Sequence, residues 1–344
     1  MKRGNVCRLF AGLIATGLIL TGGCSNEPPK APAPSSGGVG TSAAPTNAFK
    51  IAGVGFQNDQ FFKLIEIGMK DAAAKNGVDL SLGNSAGSLD KEISLIDTYI
   101  AEKKQALVIA PFNQKASIPA LQRAHESGIK VITYDSYVEA DFPVSVIRSD
   151  QVSLGRQTGE EAVKYIQEKM GGRANVAIIT YISLLPEPAS QRTGGFEEEI
   201  KKLPGVKIVA KQDAWLAEKA VSVVEAILTA HPEVDLIWAA NEGGTVGAVT
   251  AVRNAGKAGK IVVFGTDISE QMCDFLLAED NILQAVTGQK PLEIGAQAIE
   301  TAVRALKGET VEKLVALPGI LFTRRQPEEV KKQKEYLRGV SSGG

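Results

Sequence analysis

Seven polar or aromatic residues stand at one recurrent place in this sequence, shortly after a short apolar run. Asp59 follows Ile51–Val54, Asp135 follows KVITY, and Trp215 follows the run at 206–210. Asn241 follows LIWAA, Asp267 follows VVFGT, Gln289 follows the run at 282–286, and Arg192 follows the run at 174–180 across eleven intervening residues. Ionised acids only accept hydrogen bonds, amides donate and accept, and arginine donates in a fixed fork. That mixture suits vicinal hydroxyls, each donor and acceptor at once. Phe61 and Phe62, directly after Gln57, Asn58 and Asp59, add the flat apolar wall that a small polyol ring would use.

Each residue also has a purely structural reading. Asp59, Asn241 and Asp267 each precede a helical pattern and could cap it. Phe61 and Phe62 could be core, Asp135 a turn residue, Arg192 a solvated charge, and Trp215 a loop aromatic. Their joint placement at the ends of successive runs favours the binding reading.

Those runs must be strands. From Phe49 onward, short β-branched segments alternate with amphipathic ones. Strands are expected at 50–54, 78–82, 106–109 and 130–133, with helices at 61–76, 90–103 and 115–127. A second set follows, with strands at 174–180, 206–210, 234–238, 261–264 and 282–286. Its helices are expected at 151–169, 191–202, 217–230, 243–255 and 269–278. Helix 291–307, a strand near 314–322 and a helix from about Pro327 close the chain. Such alternation means α/β architecture with parallel sheets covered on both faces. Two sets of four or five strands imply two similar lobes, with a first break near Ser149. In such sheets ligands bind beyond the carboxyl ends of the strands, where the polar residues stand.

Composition narrows the chemistry. A net charge of −1, with 44% hydrophobic and 22% charged residues, describes an ordinary globular chain with no basic surplus for nucleic acid. The two histidines, His125 and His231, are far apart, which leaves little for a metal cluster or a Ser–His hydrolase. Gly53 and Gly55 begin a dinucleotide-type fingerprint, but Asn58 stands where a third glycine belongs. NEGGTVG (241–247) lacks the lysine of a phosphate loop. No catalytic residues, metal or cofactor are expected.

The N-terminus carries an address. Lys2, Arg3 and Arg8 precede an apolar stretch from Leu9 to Leu20, too short for a comfortable membrane span. Its end, LTGGC, is similar to a bacterial lipoprotein signal, with Cys24 as the lipidated residue and residues 1–24 as the signal. Residues 25–47, rich in Pro, Gly, Ser and Ala, read as a flexible tether ending at about 48. Cys7 and Cys24 belong to this segment, so Cys273 is left alone in the folded part, with no disulfide expected and a buried position in its FLL setting.

From residue 49 to 325 the chain resembles the type I periplasmic binding proteins of bacterial sugar transporters, especially the ribose-binding and glucose/galactose-binding proteins. VGFQNDQFF, VITYDS, the SD pair at 149–150, QRTGGF, LTAHPEVDLIWAANE and VVFGTDIS carry the likeness in order. The resemblance implies that Asp59, Phe61, Phe62 and Asp135 contact ligand from the first lobe. Arg192, Trp215, Asn241, Asp267 and Gln289 would do so from the second lobe or the hinge. Ser136 stands where ribose-binding proteins carry arginine, Thr266 where they carry phenylalanine, and Gly55 where they carry a hydroxyl residue. LPEPASQR lacks the His and Asp of hexose binders.

The resemblance further implies a three-crossing hinge near Ser149–Asp150, Gln289–Lys290 and Pro318–Ile320. It divides the body into a first lobe of 49–149 plus 290–319 and a second of 150–289 plus 320–338. The expected protein is a monomeric, lipid-anchored, extracytoplasmic receptor that passes a monosaccharide or polyol to an ABC importer permease. The other readings are a sugar sensor for a chemoreceptor or histidine kinase, and a receptor for a nucleoside or signalling furanose. A repressor would need a helix-turn-helix at the N-terminus, where 1–48 has signal and tether character.

Overall fold

The computed structural model describes residues 48–342; the signal, Cys24 and the tether lie outside the described residues. Two six-stranded sheets are built by the same strand order. In the first, β1 (Lys50–Gly55), β2 (Asp79–Asn84), β3 (Ala106–Ile109), β4 (Lys130–Tyr134) and β5 (Ser145–Ser149) are joined by the later β11 (Leu314–Leu317). In the second, β6 (Arg173–Thr180), β7 (Gly205–Asp213), β8 (Leu236–Ala239), β9 (Val262–Thr266) and β10 (Leu283–Gly288) are joined by β12 (Ile320–Thr323). The orders are β11-β5-β4-β3-β1-β2 and β12-β10-β9-β8-β6-β7. All pairings are parallel except β10 with β12.

The chain passes between the sheets three times: from β5 to β6, from β10 to β11, and from β11 to β12. The expected strand near 314–322 is therefore two strands in different sheets. Pro318 and Gly319 separate them, and Pro318 has no backbone N–H to continue a ladder. The VSVIR stretch before Ser149, expected only as a break, forms β5; buried and half-buried residues alternate along it, so it lacks the continuous apolar run of a central parallel strand.

Among the described residues, ten helices cover the two sheets. Around the first lie α1 (Gln60–Asn76), α2 (Leu89–Ala101), α3 (Ile118–Glu126) and, after the second crossing, α9 (Pro291–Leu306). With the second go α4 (Gln151–Lys169), α5 (Pro186–Ile200), α6 (Ala217–Ala230), α7 (Glu242–Asn254), α8 (Glu270–Leu277) and α10 (Pro327–Ser342). α5 begins five residues earlier than expected because Pro186 suits the first helical position, where its missing N–H is no loss.

Two helix pairs pack closely enough to demand glycine. A Cβ at Gly68 or Gly295 would lie 2.1 and 2.0 Å from a backbone oxygen of the partner, so α1 and α9 touch backbone to backbone. Gly155 and Gly195 do the same for α4 and α5, at 1.8 and 2.2 Å. The atom beside Gly155 is the carbonyl oxygen of Arg192, so this packing also fixes where that arginine starts. The cores are mainly apolar, with Ile51, Ile132 and Ile147 at 0% exposure in the first sheet and Trp238 and Phe264 likewise in the second.

Candidate functional site

The β1–α1 connection is held before it can hold anything else. Asp59 caps α1 by accepting the Phe62 N–H at 3.0 Å, which engages one carboxylate oxygen. The Asn84 amide at the end of β2 donates to the Gln57 carbonyl (2.7 Å) and to Asn58 Oδ1 (2.8 Å), pinning the loop. The two aromatics then part. Phe62 is 3% exposed, packed on Phe56 (4.7 Å between centroids) and Tyr134 (6.4 Å), while Phe61 stays half-buried on its edge. Phe62 is thus core here, and Phe61 is the one with a face towards the inter-sheet space.

Asp135 and Asp267 occupy equivalent places, just beyond β4 and β9. Both have left-handed backbones (φ 58° and 71°), a conformation that Asp tolerates better than most residues. Both donate their own N–H to the next strand, Asp135 to Ile147 O and Asp267 to Thr287 O, each at 2.9 Å. Asp267 does not cap α8; Ser269 does, accepting from Met272 N. Released from capping, the Asp267 carboxylate accepts the Glu242 N–H at 3.0 Å and the Gln289 amide at 2.9 Å, with Arg192 Nη1 at 3.7 Å.

Arg192 is 4% exposed, far from a solvated charge. Its Nε and Nη2 donate to Gln151 Oε1 (3.0 and 2.6 Å), Nη1 donates to Ala240 O (2.7 Å), and its guanidinium lies 5.3 Å from the Tyr181 ring centroid. A buried arginine needs such a full set of partners. Asn241 caps α7 through Gly244 N and donates its amide to Trp215 O at 2.9 Å, which ties two of the predicted residues together. Trp215 itself is 36% exposed. Gln289 accepts the Ser149 hydroxyl at 2.7 Å, so a bond joins the end of β5 in the first sheet to the second crossing.

Charges from both sheets meet here. Burial is the main cause that pushes the Asp135 carboxyl up to about 6; the Asp59 and Asp267 charges add to it and Arg192 opposes them. Burial also raises Glu242, against a hydrogen bond from Ser269 and with the Asp267 and Asp59 charges. Tyr181 is pushed up to about 12, again chiefly by burial. Asp59, Asp135, Arg192 and Asp267 are thus within electrostatic reach of one another, and Asn241, Trp215 and Gln289 are bonded around the second-sheet side.

Three participants escaped the sequence. Tyr181 directly ends the β6 run and could have been found by the same strand-end rule. Glu242 adjoins Asn241. Gln151, the buttress of Arg192, gave no signal. A cavity of about 540 Å³ opens beside Asp59, Asp267 and Gln289 and runs between α1, the start of α9 and α10. Among the described residues no group of three or more His, Cys, Asp or Glu side chains could hold a metal ion. Cys273 is free and buried, its thiol pushed up to about 12 by burial. No helix of the described residues is long and apolar enough to cross a membrane.

Residues 52–310 match the family model described as a periplasmic binding protein domain. An ABC transporter periplasmic-binding protein of Escherichia coli, YphF, is 30% identical over 274 residues, covering 77% of this chain and 83% of that one. The ribose import binding protein RbsB of Bacillus subtilis is 28% identical over 315 residues, 91% of this chain and 98% of that one. Among solved structures, an ABC transporter periplasmic solute binding protein from Actinobacillus succinogenes with bound D-allose superimposes with a TM-score of 0.71. It is 28% identical and covers 82% of this chain and 99% of its own.

Proposed function

We infer the function from one premise: this chain belongs to the periplasmic binding protein domain family. It is a binding protein, not an enzyme. It captures a monosaccharide or related polyol between two α/β lobes and delivers it to an ABC importer. The observation that carries this reading is the meeting of acids and one buried arginine from two sheets at one inter-sheet space. A sugar hydroxyl buried without a partner loses its hydrogen bonds to water, so a receptor must supply acceptors and donors around the ring.

In this reading the ring lies between Phe61 and Trp215. Asp59, Asp135, Arg192, Asn241, Asp267 and Gln289 address its hydroxyls, and Phe62 supports Phe61 from the core. The lobes comprise 49–149 plus 290–319 and 150–289 plus 320–338, and they close by motion at the three crossings. A ligand that touches both lobes gains contacts that neither lobe offers alone, and so favours closure. The receptor works outside the cytoplasm as a monomer, anchored through lipid on Cys24 and set off from the membrane by the tether.

The test is a thermal-shift screen of the full-length protein against pentoses, hexoses, deoxy sugars, inositols and nucleosides. A ligand at 100 times its Kd adds about 2.7 kcal/mol to stability. A clear shift with one sugar, weakened at least tenfold in affinity by Trp215→Ala, is the expected result. A shift with nucleosides alone would remove the carbohydrate assignment.

A further inference from the structure

The cavity beside the sugar site is larger than one ring requires. At about 540 Å³ it falls within the range of ~300–1,000 Å³ that holds drug-sized ligands. It shares Asp59, Phe61, Asp267 and Gln289 with the polar site, whereas Asp135, Arg192, Trp215 and Asn241 lie outside its lining. A ring held among those four leaves this side unfilled.

The chemistry of the walls decides what would fill it. Most of the polar groups here are already paired with one another. Gln60 donates to Leu337 O at 3.0 Å, and Lys290 pairs with Glu293 at 3.1 Å. Glu242 is hydrogen-bonded by Ser269, and Asp267 by Gln289. A second hydroxyl-rich ring would find few free partners and would lose its bonds to water. Phe61, Leu64, Ile268, Leu292, Ile320 and Tyr336 supply apolar surface between those pairs. Two of them, Ile320 and Tyr336, remain 42% and 40% exposed, so water now covers surface that an apolar group could cover instead. The α10 wall also faces the first lobe, since the Asp71 charge of α1 reaches Tyr336.

We propose that the ligand is a glycoside rather than a free sugar, its ring held by Asp135, Arg192 and Asp267 and a compact apolar aglycone seated between α1, α9 and α10. This rests on the sugar-receptor reading above. The aglycone leaves the ring on the side of Asp59, Asp267 and Gln289, the residues common to both spaces. Tyr336 and Ile320 bury against it, while the paired polar groups keep their partners.

The experiment is isothermal titration of the full-length protein with D-ribose and D-allose and with the phenyl α- and β-glycosides of each. One phenyl glycoside binds at least fivefold more tightly than its parent sugar. Tyr336→Ala and Gln333→Trp, the first removing a wall and the second filling the space, each abolish that advantage and leave the free sugar within about twofold. Both positions lie on α10, away from the three crossings, and far-ultraviolet circular dichroism confirms folding of each variant. Free sugar binding as tightly as, or more tightly than, both of its glycosides overturns the aglycone site and leaves the sugar receptor standing. An advantage that survives both variants also overturns it. Binding of none of the six compounds overturns the aglycone site as proposed and leaves the sugar reading to the wider screen above.

Discussion

The two lobes share one strand order and one left-handed aspartate, yet they treat that aspartate oppositely. Beyond β9, Asp267 is held by the Glu242 N–H, the Gln289 amide and the nearby guanidinium of buried Arg192. Beyond β4, the Asp135 carboxylate has no hydrogen-bond partner among the described residues, and burial pushes it up to about 6. Its neighbour Ser136 offers no relief, because that hydroxyl donates to Pro111 O at 2.7 Å. The second lobe's aspartate is therefore partnered in this structure, whereas the first lobe keeps an acceptor without a protein partner. In the proposed receptor this arrangement would order binding: the ring would seat on Arg192 and Asp267, and closure would then deliver its remaining hydroxyls to Asp135.

The sharpest way to break this asymmetry is to change one aspartate at a time to asparagine, which tolerates the left-handed backbone equally well. Asp267→Asn places an amide N–H among donors and faces Arg192 without a charge. Affinity for the sugar found in the screen falls by about a hundredfold or more, and stability falls by about 2 kcal/mol, as expected for a charged acceptor with several donors. Asp135→Asn loses affinity by about tenfold and leaves melting temperature unchanged or higher at neutral pH. Titration calorimetry and thermal denaturation measure both. Equal stability losses in the two variants would show that the lobes are not differently preorganised.

The same contrast has a pH signature. The Asp135 carboxyl sits above its ordinary value of 3.8, at about 6, so between about pH 4 and 6 the folded chain holds a proton that the unfolded chain has released. Stability contributed by this group therefore decreases as pH rises through that window, and Asp135→Asn flattens the slope. Binding runs the other way. A ligand hydroxyl donates to the ionised carboxylate, so affinity rises up to about tenfold per pH unit below 6 and levels off above it. Asp59, Arg192 and Asp267 face Asp135, and Glu242 and Tyr181 share the same charged surroundings. The Asn variant is what isolates the one group from the rest.

Much of this was legible in the sequence. Ten expected strands correspond to eleven of those observed, because the one near 314–322 is two, and polar residues after the apolar runs marked the space between the sheets. What stayed hidden has specific physical causes. β5 alternates buried and half-buried residues, so it lacks the continuous apolar run that betrays a central parallel strand. Phe61 and Phe62 are adjacent on a helix and so must point in different directions, but periodicity alone could not say which one faces the core. Gln151 matters only because α4 and α5 approach through Gly155 and Gly195, a contact between segments about forty residues apart. The same residues also served two roles at once. Asp59 and Asn241 are helix caps and stand at the inter-sheet space, so the structural reading and the site position were never alternatives for them.

The smallest expected effect concerns the bond that joins the two regimes. Ser149 ends β5 in the first sheet and is 3% exposed; its hydroxyl donates to Gln289 Oε1 at 2.7 Å, and the Gln289 amide in turn donates to Asp267 Oδ1 at 2.9 Å. The preorganised aspartate of the second lobe is thus steadied from the first through one amide. Ser149→Ala removes the donor and leaves Gln289 free to turn. A neutral side-chain hydrogen bond contributes about 0.5–1.5 kcal/mol net, so stability should fall by about 1 kcal/mol. Gln289 keeps its amide bond to Asp267, so sugar affinity should fall by only about two- to fivefold, seen as a faster off-rate in stopped-flow fluorescence of Trp215. The double variant Ser149→Ala/Asp267→Asn decides whether the chain of bonds acts as one unit. A loss smaller than the sum of the single losses means that Ser149 works through Asp267; full additivity means that it only steadies the crossing.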